Sequence, residues 1–208
     1  MVTLERIEPI EQAFARLRAA PLEAAGDEQI RIYENAVMRI ADFFPDELNL
    51  TALYVLKPQL KLLRDLRAEL IRRYDIDVLR LSAVLQLRTH DGQLFGMAPP
   101  FVEIYEEEVQ IVPFPGDREP PPPFLMKVPV LKDGMHRAWL AREENIPIRC
   151  VVVHGALRYG TYAYPNQWSQ VHAHDEKPAQ KKYYRRQNQY SYMRPLSALR
   201  GTKAEWDR

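Results

Sequence analysis

The hydrophobic period of this chain changes near Val78, and that change limits what it can fold into. Upstream, "PQLKLLRDLRAELIRRY" sets Leu60, Leu63, Leu66 and Leu70 in one stripe at helical spacing, with lysines and arginines on the other faces. Downstream, "VLRLSAVLQLR" alternates: Leu79, Leu81, Ala83, Leu85 and Leu87 share one face, and Arg80, Ser82, Gln86 and Arg88 fall mostly on the other. Helical patterns followed by strand patterns predict an α+β protein. Two earlier segments also read as helices. "EPIEQAFARLRAA" offers Ile10, Phe14 and Leu17, and "DEQIRIYENAVMRIADFF" offers Ile30, Tyr33, Val37 and Ile40 ahead of Pro45. Residues 1–76 are therefore expected to form a helical N-terminal region. Its leucine stripe reads as core packing, with docking of a protein partner as the alternative.

Beyond Val78, Asp91-Gly92 marks a hairpin turn, and "FVEIYEEEVQIVPF" supplies one or two further strands. Its Glu103, Glu106, Glu107 and Glu108 read as a solvated edge or as part of a cation-attracting pocket. Seven prolines fall between residues 113 and 129, including the run Pro120 to Pro123. Such a run favours polyproline II and cannot join a central ladder, so 113–127 is expected to be a loop over the sheet. The organisation anticipated is 1–76, a core over 77–160 and a C-terminal extension over 161–208.

Among 208 residues, 46% are hydrophobic and 27% charged, the balance of an ordinary globular chain. No window approaches the roughly 20 apolar residues that cross a bilayer, and the N-terminus lacks a secretory pattern. The single cysteine, Cys150, excludes an intrachain disulfide and reads as a buried structural thiol within "IRCVVV". The expectation is a cytoplasmic protein without membrane partners.

The stretch "VPVLKDGMHRAWLAREENIPIRCVVV" carries the strongest chemical signal. A strand over "MKVPVL", with Pro129 hinting at an edge or a strand start, leads through Asp133-Gly134 into a helix. A strand over "IPIRCVVVHG" follows, in the order of a crossover unit. Unpaired amides and the positive end of the helix dipole face outward at such a helix start. Gly134 would let a ligand approach the backbone, Arg137 can offer a fork to phosphate oxygens, and His136 can donate a hydrogen bond or move a proton. Asp133 can cap the helix, hold Arg137 or bind a metal accompanying phosphate. In the plainer reading, Asp-Gly is a turn and Arg137 bridges to a surface carboxylate.

"KDGMHRAWLAREENIPIRCVVV" resembles the signature segment of the ParB/sulfiredoxin-like superfamily. In sulfiredoxins, free-serine kinases and the N-terminal domains of ParB partition proteins, this turn contributes to a nucleotide-phosphate site. The resemblance implies a mixed sheet with packed helices, preceded here by the helical region. It also implies a nucleoside di- or triphosphate with Mg²⁺, bound by Lys132, Asp133, Gly134, Met135, His136 and Arg137. Phosphoryl transfer or nucleotide hydrolysis, dependent on ATP, ADP or CTP, would then draw on Asp133, His136 and an upstream carboxylate such as Glu103. Met135 stands where sulfiredoxins carry a reactive cysteine, and no partition-protein helix-turn-helix follows.

Two other function classes stay open. From Lys177 to Arg208 there are nine basic residues against two acids, a local charge of +7 against −6 elsewhere. Within it, Lys181, Lys182, Arg185 and Arg186 interleave with Tyr183 and Tyr184. Cations there can neutralise phosphates while tyrosines stack on bases of DNA or RNA, or the tail can dock on its own domain. The third class is a non-catalytic assembly or regulatory factor. His172 and His174 alternate, but two histidines without a third ligand do not make a metal site.

Overall fold

The computed structural model describes residues 2–22, 30–109, 122–157, 167–178 and 194–201. It is a mixed α+β fold built on a five-stranded sheet. That sheet contains β2 (Val37–Phe43), β3 (Asn49–Leu50), β7 (Phe101–Val109), β8 (Phe124–Asp133) and β9 (Ile148–His154), in the order β2-β9-β7-β8-β3. A second sheet has the order β1-β5-β6, from β1 (Val2–Pro9), β5 (Ala83–Thr89) and β6 (Leu94–Met97). β4 (Tyr54–Leu56) pairs in parallel with β10 (His172–His174). The described elements also include helices α1 (Ile10–Ala19), α2 (Lys57–Tyr74), α3 (Met135–Glu143) and α4 (Leu196–Arg200), with short 3-10 turns at Pro45–Glu47 and Trp168–Gln170.

The two larger of three cores form because Phe101 and Val102 of β7 and Cys150 to Val153 of β9 are apolar on both faces of the sheet. Val102, Cys150 and Val152 pack with Leu131, the buried stripe of α2 (Leu60, Leu63, Leu70) and Ala138, Leu140 and Ala141 of α3. Phe101, Val151 and Val153 pack with Ile10, Phe14 and Leu17 of α1, and with Leu199 of α4. The α2 stripe is core, as its spacing predicts. The two alanines of α3 are fully buried, which lets that helix lie close against its neighbours. Cys150 is buried in β9, and burial pushes its thiol up to about 12.

The helical reading of residues 1–76 is corrected. α1 and α2 are present, but Val2–Pro9 pairs with β5, and Val37–Phe43 is the edge strand beside β9. The spacing of Tyr33, Val37 and Ile40 suits a helix, yet "VMRIADF" also alternates. Met38 is buried while Val37 is exposed. Cross-strand pairing decides between the two: Asp42 stands opposite Arg149 in the ladder and accepts hydrogen bonds from it at 2.8 and 3.1 Å.

The crossover reading is also corrected. β7 runs antiparallel to β8 and parallel to β9, so the strands on either side of α3 run in opposite senses with β7 between them. Pro129 does lie near an edge, since β3 pairs with β8 only at Val130 and Leu131. The Asp91-Gly92 hairpin forms between β5 and β6, with Gly92 at φ +84°. Of the proline-rich stretch, residues 110–121 lie outside the described residues, and 124–127 already belong to β8.

Candidate functional site

β8 ends at Asp133, and the chain turns through Gly134 into α3. Gly134 is at φ +97° and ψ 19°, a left-handed conformation that admits glycine readily. A Cβ there would lie 2.6 Å from the Cβ of Pro100. The space that glycine leaves is thus filled by Pro100, where the sequence had suggested an approaching ligand. Arg137 turns inward and is only 9% exposed. Its Nη1 donates to the carbonyl of Ala98 at 2.5 Å. Burial draws its guanidinium below the ordinary value and Asp133 pulls the other way; a guanidinium keeps its charge regardless.

His136 reaches across to α2. Its Nε2 accepts the backbone N–H of Leu56, the last residue of β4 and the N-cap of α2, at 3.0 Å. This bond requires an unprotonated Nε2. Burial, partly offset by Asp133, lowers the imidazole below its ordinary 6.5. The unfolded chain therefore binds more protons than the folded one once pH falls below 6.5, and stability declines from there through the folded value. His136→Gln keeps an acceptor but cannot titrate. Its urea midpoint should fall less steeply than the wild type's between about pH 7 and about pH 5.

Asp133 accepts a hydrogen bond from Arg200 of α4. Burial alone would raise its carboxyl, but the charges of Arg200 and Arg137 outweigh that and hold it below the usual range. The β7–β8 ladder slips at this point. Phe101 faces Asp133 while Val102 faces Leu131, which leaves Lys132 as an extra residue. Such a bulge re-aims a side chain. The Lys132 ammonium lies 3.7 Å from Glu103 and 4.9 Å from the centre of the Tyr105 ring.

Glu103 is 1% exposed and sits at the hub of a polar cluster. It accepts hydrogen bonds from the hydroxyls of Tyr33 and Tyr105, and from Arg194 at 2.8 and 3.4 Å. Burial opposes its charge, but Arg194 and Lys132 prevail and depress its carboxyl. Desolvation and the neighbouring carboxylate push both tyrosine hydroxyls well up, so they remain donors.

A cleft of about 890 Å³ opens at this corner, a size usual for small-molecule sites. All six residues from Lys132 to Arg137 line it, together with Arg200. Leu62 and Leu66 of α2 and Phe95 and Met97 of β6 give it an apolar wall, and Asp65 and Glu69 mark the α2 side. Neither Glu103 nor Arg194 lines it; Glu103 is linked to it through Lys132. The sequence reading missed Arg194, Arg200, Tyr33 and Tyr105. The two arginines were legible only as part of a basic tail.

The family model of the ParB CE domain matches residues 13–117, half of the chain. The chain belongs to the ParB CE domain family. The ParB CE match runs from α1 through β7 and ends before β8 and α3, so the 133–137 turn rests on its own geometry. No curated protein and no solved structure matches this ParB CE chain.

The candidate nucleic-acid residues Lys181, Lys182, Tyr183, Tyr184, Arg185 and Arg186 lie outside the described residues. His172 and His174 stand on β10 with ring centres 6.4 Å apart. Among the described residues, no group of three or more His, Cys, Asp or Glu side chains is placed to hold a metal. No described helix is long and apolar enough to cross a membrane.

Proposed function

We propose that this ParB CE protein binds the phosphates of a nucleoside di- or triphosphate at the corner where β8 meets α3. One observation carries the reading. Among the described residues, Lys132, Arg137, Arg194 and Arg200 converge there on two carboxylates, Glu103 and Asp133, with Asp65 and Glu69 on the α2 side of the cleft. Three of the four cations are buried or nearly so: Arg137 is 9% exposed, and the Lys132 and Arg194 side chains are each 12% exposed. A buried charge costs several kcal/mol unless a counter-ion meets it. A phosphate group entering the cleft beside Lys132 and Arg200 would supply that counter-charge. Leu62, Leu66 and Phe95 would offer a base an apolar wall.

The same geometry favours binding over turnover. Each candidate catalytic group already has a partner: His136 accepts from Leu56, Asp133 from Arg200, and Glu103 from two tyrosines and Arg194. A resident Mg²⁺ does not fit the 132–137 turn, because Asp133, the one carboxylate of that turn, is committed to Arg200.

Calorimetry with ADP, ATP and CTP tests the proposal. Arg200, 45% exposed at the cleft, is the informative position, since Arg137 anchors the fold through Ala98. Arg200→Gln should weaken binding at least tenfold, about 1.4 kcal/mol, with little change in urea stability. Equal affinity in wild type and variant would remove the phosphate reading.

A further inference from the structure

Two of the four cations described at the corner come from one short piece of chain far along the sequence. Without residues 194–201, the corner keeps Lys132 and Arg137 beside Glu103 and Asp133. Arg194 and Arg200 bring two further positive charges. Arg194 also acts on Lys132. While Arg194 occupies both oxygens of Glu103, Lys132 need not serve as that carboxylate's main counter-ion. The segment is held mostly by contacts away from the cleft. Leu199 is 1% exposed among Ile10, Phe14 and Leu17, and Arg16 donates to the carbonyls of Ala198 and Leu199 at 2.9 and 3.4 Å.

We infer that residues 194–201 form a clasp whose docking on α1 assembles the anion site, so that ligand affinity and clasp closure are thermodynamically coupled. The inference rests on the phosphate reading above and adds two things to it. The favoured ligand carries at least two adjacent negative charges, as a pyrophosphate group does, because clasp docking sets Arg200 in the same cleft lining as Lys132. Arg194 is a positioning residue, acting through Glu103 and Lys132, whereas Arg200 meets the ligand. Coupling is reciprocal: if docking tightens binding by a given factor, binding tightens docking by the same factor.

Leu199→Asp in the full chain separates docking from charge, since it removes neither arginine and places a carboxylate in the apolar seat of the clasp. With inorganic pyrophosphate as the probe at fixed ionic strength, the expected result is at least a tenfold loss of affinity. In the unaltered chain, saturating pyrophosphate should slow amide exchange across 194–201 at least tenfold, an effect a purely structural tether would not show. Wild-type affinity in Leu199→Asp, or exchange at 194–201 indifferent to pyrophosphate, overturns the clasp and leaves the phosphate site standing. A wild-type chain that binds neither pyrophosphate nor ADP removes both. Should Leu199→Asp fail to fold, the exchange measurement on the unaltered chain decides alone.

Discussion

Gly134→Ala is expected to destabilise the protein by about 3 kcal/mol, read as a lower urea midpoint with an unchanged slope. Two independent costs meet at that position. At φ +97° an alanine is strained by about 1–2 kcal/mol. Its Cβ would also stand 2.6 Å from Cβ and 3.0 Å from Cα of Pro100, and ordinary carbon contacts are near 3.5–4.0 Å. Pro100 has little room to yield. It is buried, it precedes β7, and its carbonyl accepts from Val151 at 2.8 Å. Overpacking of this kind adds about 1–3 kcal/mol. A stability change below about 1 kcal/mol would mean that the turn and the Pro99-Pro100 segment are not in contact.

Glu103→Gln should cost about 3–5 kcal/mol, because it strips a buried carboxylate from Arg194 and Lys132 while keeping its shape. The direction of the pH effect follows from the depressed carboxyl. Below the ordinary carboxylate value, the unfolded chain takes up a proton that the folded chain refuses. The stability contributed by Glu103 is therefore complete above that value and is lost as pH falls through the folded one. Wild type should show this acid-dependent loss, and Glu103→Gln should lack it. Removing the carboxylate also takes one negative charge from the corner. Pyrophosphate should then bind the folded variant more tightly than wild type and restore part of its lost stability. A variant as stable as wild type at neutral pH would show that Glu103 is not the hub of the cluster.

How much of this could be read beforehand depends on whether the signal was local. α2 was legible because Leu60, Leu63 and Leu70 need only their own helix to define a face. The β5–β6 hairpin was legible because Asp-Gly sets its own turn. β2 was not: "VMRIADF" carries both periods, and the choice is made by β9, more than a hundred residues away in the chain. At the site, the strand–turn–helix seam stood out from residue types. The inward course of Arg137 and the commitment of His136 to Leu56 did not, because each depends on a carbonyl or amide brought in from a distant element. The bulge at Lys132 is a mismatch between two strands and leaves no mark on either one alone. Arg194 and Arg200 resemble any other basic residues of the tail until Glu103 and Asp133 are in place.

The protein's lone sulfhydryl offers a gauge of the whole fold. Cys150 sits in a strand with neighbours on both sides and is fully shielded, and its proton is held up to about 12. Alkylating reagents attack only the thiolate, so modification at neutral pH must wait for the sheet to come apart. The rate at which iodoacetamide consumes this side chain would therefore clock opening of the β2-β9-β7 ladder without any introduced label. The same shielding would keep the chain from forming disulfide-linked pairs during handling in air.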